Sequence, residues 1–228
     1  MSEAAGDIDV VRNARARRMK LAFDPTSGRV RLVLPRRASL NAGLAWAAGH
    51  RAWIETQRAK LPEARPFEPG ATIPLMGRDV TLAWHDDAPR TPRLVGDMLV
   101  VGGPRDGFDL RITRWLRREA ARVLSRETAE YAAKAGVSVS AVGVGDTSSR
   151  WGSCSASGGI RYSWRLILAP EWVRRATVAH EVAHRVHMNH SPAFHAVVAK
   201  IYEADPTPAR RWLKTNGASL HWFGRSKS

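Results

Sequence analysis

Cysteine is nearly absent: Cys154 is the single one among 228 residues. One thiol builds no internal disulfide framework, and such usage fits a reducing compartment. Long apolar runs are missing as well, since no stretch approaches the ~20 residues of a membrane-spanning helix. The opening residues, Met1-Ser2-Glu3-Ala4-Ala5-Gly6-Asp7, are small and acidic. They lack the basic region and apolar core of a secretory leader. Together these absences predict a cytoplasmic chain with no membrane segment. Acidic residues are scarce too, 21 against 36 basic ones, for a net charge of +15 and a pI near 11.2. That balance points toward contact with a polyanion, nucleic acid included. Two features weigh against it. Thirty of the basic residues are Arg, a bias that GC-rich coding produces unaided. The charge is also spread, with 17 basic and 11 acidic residues in 1–105 and 19 and 10 in 106–228.

What is present in concentration is histidine. His180-Glu181-Val182-Ala183-His184 is an H-E-x-x-H segment, and His187 and His190 come within the next six residues. On a helix, residues i and i+4 share a face, so His180 and His184 can present two imidazoles to one zinc ion. Glu181 sits one step further round, poor as a third ligand but well placed to reach water. Zinc lowers the pKa of water that it holds to about 7, so a neighbouring carboxylate can take the proton. The chemistry expected is hydrolysis by an activated water, with Zn2+ as cofactor and a peptide bond as the usual target.

A catalytic zinc wants three protein ligands and an open position. His190 lies about 240° round an ideal helix from His184 and reaches the metal only if the helix stops first. Asn189 tolerates a left-handed C-cap, and Ser191-Pro192 reads as N-cap and first residue of a new helix. His190 is therefore the expected third ligand. Glu203, His187 and His195 are its rivals. His187 shares the face of His180 but stands about 10.5 Å along the axis.

Four segments carry a specific resemblance: Arg150-Trp151-Gly152-Ser153-Cys154-Ser155; Tyr162-Ser163-Trp164-Arg165-Leu166 with Pro170; His180 to His184; and Asn189-His190-Ser191-Pro192-Ala193-Phe194. They resemble the YgjP-like metallopeptidases, relatives of the SprT-like zinc proteases, over about residues 15–226. The resemblance implies a minimal zincin core, zinc on His180, His184 and His190, and Glu181 as general base. The chain departs from the family pattern at Ser163, where Asn is usual, and at His195, where Trp is usual.

In chain order, residues 1–14 read as a flexible, polar terminus. Met19–Phe23 and Val30–Leu34 alternate around the turn Asp24–Gly28 as a hairpin. Ser39 caps one helix running to about Leu61. Short strands are expected next, at Thr72–Leu75, Val80–Trp84, Arg93–Val95 and Met98–Val101. Gly102-Gly103-Pro104 marks the internal boundary, giving a β-rich region over 15–105 and the peptidase core over 106–228. A long helix is expected at Asp109–Ala135, packed beside the histidine helix of about Pro170–Met188. Strands are expected at Val137–Val144, Arg150–Cys154 and Ile160–Trp164. The second of these is the expected substrate edge, since zinc peptidases hold substrate as an added strand. Its Gly allows close backbone approach. Trp151, Gly152, Ser153 and Tyr162 are the candidate substrate contacts, and core packing by Trp151 is the competing reading.

The fold class expected is α+β, a zincin-like core with a smaller β-rich N-terminal region. The function expected is a zinc metallopeptidase acting on a peptide or protein. Two alternatives stay open: a metal-dependent hydrolase of nucleotides or phosphoanhydrides, and a zinc-containing DNA- or protein-binding module.

Overall fold

The computed structural model describes residues 8–226. Its described residues divide into two compact units, 8–63 and 64–226.

In the first unit a three-stranded sheet is ordered β1-β3-β2, with β1 Ile8–Asn13, β2 Lys20–Asp24 and β3 Arg29–Pro35. The hairpin β2–β3 forms as the alternation predicts. Its turn is closed by the Asp24 carboxylate, which accepts from Thr26 N at 2.9 Å and Ser27 Oγ at 2.7 Å. β3 buries alternate residues, and Leu32 and Leu34 meet Ala47 in a small core. Two expectations fail here. Residues 8–13 of the terminus read as flexible form β1, parallel to β3, and residues 1–7 of it lie outside the described residues. Arg12 anchors that strand, donating to the carbonyls of Arg36 and Ala38 at 2.9 and 2.8 Å. The one helix expected after Ser39 is two, α1 Leu40–Ala48 and α2 Arg51–Arg58. The chain breaks at Gly49-His50, where Nδ1 of His50 turns back to Trp46 O, 2.8 Å away.

The second unit carries the histidine cluster and the elements that position it. A four-stranded sheet is ordered β4-β5-β7-β6, with β4 Thr72–Leu75, β5 Arg78–Trp84, β6 Arg93–Val95 and β7 Met98–Val101. Its inward residues, among them Ile73, Leu75, Leu82 and Leu99, share one core with Ile112, Leu116, Val178 and Val182. The Gly102-Gly103 break expected as a boundary thus falls inside a continuous core. Apolar alternation over residues 72–101 announces strands but not the partner that covers them.

Helix α3, Phe108–Ala135, runs 28 residues and stops at Gly136, whose φ of 67° suits a residue without Cβ. β8 Ala141–Gly145, β10 Gly159–Ser163 and β9 Gly152–Cys154 then form a second sheet in the order β8-β10-β9. β9 is one of its two edge strands, β8 the other. A 3₁₀ turn at Trp164–Leu168 leads to α4, Glu171–Ala183, then α5, Pro192–Tyr202, and α6, Thr207–Leu220. The seam between α3 and α4 is closed by charge. Glu127 accepts from Arg174 Nε at 3.1 Å and Nη2 at 2.8 Å, with both side chains at most 3% exposed. One step round, Arg175 Nη1 donates to Glu130 at 3.1 Å. No helix among the described residues is long and apolar enough to cross a membrane.

Candidate functional site

Helix α4 ends earlier than the sequence suggests. Its last regular residue is Ala183 and His184 is the C-cap, so the stop comes before Asn189. Residues 183–187 tighten instead, Val186 N and His187 N both donating to Ala183 O at 3.0 Å. Asn189 takes no left-handed conformation; Met76 and Glu203 are the described non-glycine residues that do. The chain then restarts as expected, with Ser191 Oγ accepting from Phe194 N at 3.3 Å and Pro192 at the first helical position.

That early stop swings His190 back. The nitrogens of His180, His184 and His190 lie within 4.8 Å of one another, and among the described residues they form the one such cluster of His, Cys, Asp and Glu. Nε2 of His190 stands 3.2 Å from Nε2 of His180. Nδ1 of His184 is 3.2 Å from His187 O. A proton on that Nδ1 fixes the tautomer and leaves Nε2 as a lone pair facing inward. Burial, then the charges of His184 and His190, push His180 down to about 4, and burial first also lowers His184. Those two rings are therefore neutral imidazole at physiological pH. The 3.2 Å between Nε2 of His180 and Nε2 of His190 brings two potential metal-binding nitrogens together. Three imidazoles converging, with no fourth His, Cys, Asp or Glu in the cluster among the described residues, fit a divalent first-row metal with an open position.

Phe194 is the residue that sequence reasoning left without a role. Fully buried at the third position of α5, its ring packs 4.9, 4.5 and 4.9 Å from the rings of His180, His184 and His190. It is the apolar floor that all three imidazoles stand on. The signal for it was the Ser191 cap, which sets the first turn of α5 and with it the direction of the third residue.

The rivals lie elsewhere. Glu203 caps the far end of α5 and pairs with Lys134 Nζ at 2.8 Å. His187 supplies its carbonyl rather than its ring. His195 is exposed and its ring centroid is 6.4 Å from that of His190.

Glu181 is 6% exposed, and its side chain has no hydrogen-bond or ion-pair partner among the described residues. Burial pushes its carboxyl up to about 7, against a downward pull from Arg150. Its neighbour is Gly152 of β9. A Cβ built there would stand 2.5 Å from Glu181 Cγ and Oε1. The bare glycine thus makes room for the carboxylate, where the sequence suggested room for substrate.

A cleft of about 250 Å³ opens beside His180 and Glu181, with Trp151 and Gly152 on one wall and Ala209 and Leu213 of α6 on the other. Trp151 leans on α6, where a Cβ at Gly217 would meet its indole at 2.8 Å. So two of the four candidate substrate contacts line the cleft. Ser153 alternates away from it, cross-strand from Arg161. Tyr162 does not reach it: the side chain is wholly buried, and its hydroxyl is 3.0 Å from Thr128 Oγ1.

A model of the family described as YgjP-like, metallopeptidase domain, matches residues 17–216. Searches of curated proteins and of solved structures return no significant match.

Proposed function

The chain belongs to the YgjP-like metallopeptidase family, and from that premise we propose that it is a zinc-dependent peptidase whose metal is held by His180, His184 and His190. The observation carrying the reading is the convergence of those three imidazoles beside a buried, unpartnered carboxylate. The second unit, on this reading, is a zincin-like core, with residues 106–228 supplying every ligand and the base.

When bound, zinc supplies a Lewis acid that acidifies water and polarises a carbonyl oxygen. Glu181 accepts the proton of the attacking water as the new C–O bond forms. It then gives that proton to the amide nitrogen as the C–N bond breaks, leaving a carboxylate and an amine. Arg150 favours the ionised, proton-accepting form of Glu181. Edge strand β9 holds the substrate backbone as an added strand, with Trp151 and Gly152 nearest the scissile bond. The Nδ1 of His184, turned onto His187 O, keeps that imidazole in its ligating tautomer.

Metal content by mass spectrometry, on the wild type and His190→Ala purified without chelator, tests the centre. One zinc per wild-type chain, lost or much weakened in the variant, is expected. Zinc retained at full affinity in His190→Ala would remove the proposed ligand set.

A further inference from the structure

The cleft has a chemical bias that hydrolysis alone does not require. Much of its lining is apolar, with Ala176, Val198, Ala209 and Leu213, and beside His195 it carries two guanidinium groups, Arg150 and Arg210. No acidic residue but Glu181 lines it. The neutral hydroxyl in the wall, Thr177, is already committed to Val173 O at 2.9 Å.

The two cleft arginines are treated unlike several others of this unit. Arg122, Arg165, Arg174 and Arg175 each rest on a carboxylate. The Arg150 side chain has no hydrogen-bond or ion-pair partner among the described residues, and that of Arg210 reaches Thr207 Oγ1 at 3.3 Å alone. Both line the cleft beside His180 and Glu181, and Arg210 also acts on the exposed Asp205 carboxylate. Two like charges in one cleft repel, and an anion between them relieves that repulsion. Guanidinium forks match a carboxylate in shape as well as charge. At about 250 Å³ the cleft falls below the about 300–1,000 Å³ of pockets for drug-sized ligands, which favours one side chain or chain end over a nucleotide.

We infer that Arg150 and Arg210 make this cleft a carboxylate-selecting subsite. The carboxylate comes from an Asp or Glu side chain beside the scissile bond or from the free C-terminus of the peptide, with its short apolar stem against the apolar lining. The inference rests on the peptidase reading.

The test uses the full chain and one peptide sequence in four forms, with internal Glu or Gln, each ending as free acid or amide. Binding is measured calorimetrically on zinc-loaded Glu181→Gln, and cleavage on the wild type. One acid form should bind about tenfold or more tighter than its neutral isostere, and whichever pair shows it identifies the source of the carboxylate. Adding Arg150→Gln and Arg210→Gln should bring that ratio close to one while neutral peptides bind and melt curves stay as before. Both side chains are exposed, so the fold does not depend on them. Because Arg150 also favours the ionised form of Glu181, slower cleavage shared by all peptides is expected of Arg150→Gln; a loss of binding shared equally by acid and neutral peptides would mean that the arginines do not select the carboxylate, and would overturn the inference. Equal affinity for all four forms, or no binding of any, overturns it too. Acid-selective binding with no cleavage of any peptide by the wild type upholds the subsite and removes the peptidase reading instead.

Discussion

Glu127 and Glu181 are both buried carboxylates on neighbouring helices of one unit, and the fold treats them in opposite ways. Glu127, inside the seam of α3 and α4, is gripped by three hydrogen bonds from Arg174, with Arg175 Nη1 a further 3.9 Å away. Glu181, at the mouth of the cleft, has no side-chain partner among the described residues, and burial pushes it up to about 7. Burying a carboxylate is costly unless it is paired. At the seam the cost is offset within the protein. At the cleft it stands, which leaves the group free to exchange a proton. On the proposed reading, the saturated acid is architecture and the unsaturated one is chemistry.

Exchanging each acid for its amide should separate the two roles. Glu181→Gln should lower turnover by about 10²–10⁴-fold, the scale of general acid–base catalysis. Zinc content should stay at the wild-type level and stability should hold or rise near neutral pH, because no ion pair is broken and the uncompensated buried charge is removed. Steady-state peptide cleavage, metal analysis and urea unfolding check the three parts. A Glu181→Gln enzyme at full rate sinks the general-base role.

Glu127→Gln should do the reverse. It strands Arg174, whose Nη1 already lacks a partner, as a buried charge. Breaking such a pair costs about 3–5 kcal/mol. Turnover per folded molecule, measured well below the new melting temperature, should be unchanged. Lost turnover with intact stability would erase the distinction between the two acids.

Gly152→Ala probes the contact that keeps Glu181 free to act. The added methyl would sit 2.5 Å from Cγ and Oε1 and 2.7 Å from Cδ of that side chain. The carboxylate has to move, and a displacement near 1 Å costs about 10²-fold in rate. Overpacking should remove about 1–3 kcal/mol of stability as well. Zinc content should not change, since no histidine is touched. Full turnover in Gly152→Ala would mean that Glu181 works from another position.

What the sequence made legible was local. The spacing of His180 and His184, the Ser191-Pro192 restart, the strands at Thr72–Leu75, Arg93–Val95 and Met98–Val101, and the start and stop of α3 all come from short patterns. They appear at or within a residue of the expected places. What stayed hidden needs two distant segments at once. The partner of Arg174 is 47 residues away, and β1 gains its strand from pairing with β3 rather than from its own mostly exposed residues. The strands of 72–101 belong with the core of α3 and α4 because of what covers them. Gly152 was legible as a close approach, but sequence cannot name the atom that approaches. The end of α4 was misplaced because Arg185, Val186 and His187 carry no breaker, and the local tightening that ends the helix is made by backbone alone.

The smallest expected effect tests the same rule on a hydroxyl. By sequence, Tyr162 belongs with the substrate contacts; in the structure it belongs with Glu127. Its hydroxyl meets Thr128 Oγ1 at 3.0 Å, next in sequence to Glu127, and both residues are at most 1% exposed. Burial first raises its pKa well above the usual phenol value, so it stays neutral and takes no part in proton transfer near neutral pH. Tyr162→Phe leaves the Thr128 hydroxyl without its partner in an apolar setting, at a cost of about 1–2 kcal/mol. KM and kcat should both stay within about twofold, since the ring keeps its place and no cleft atom moves. A several-fold rise in KM without a change in stability would place that hydroxyl against substrate. A polar group already satisfied inside the fold could then still serve the reaction, and the contrast between Glu127 and Glu181 would no longer tell architecture from chemistry.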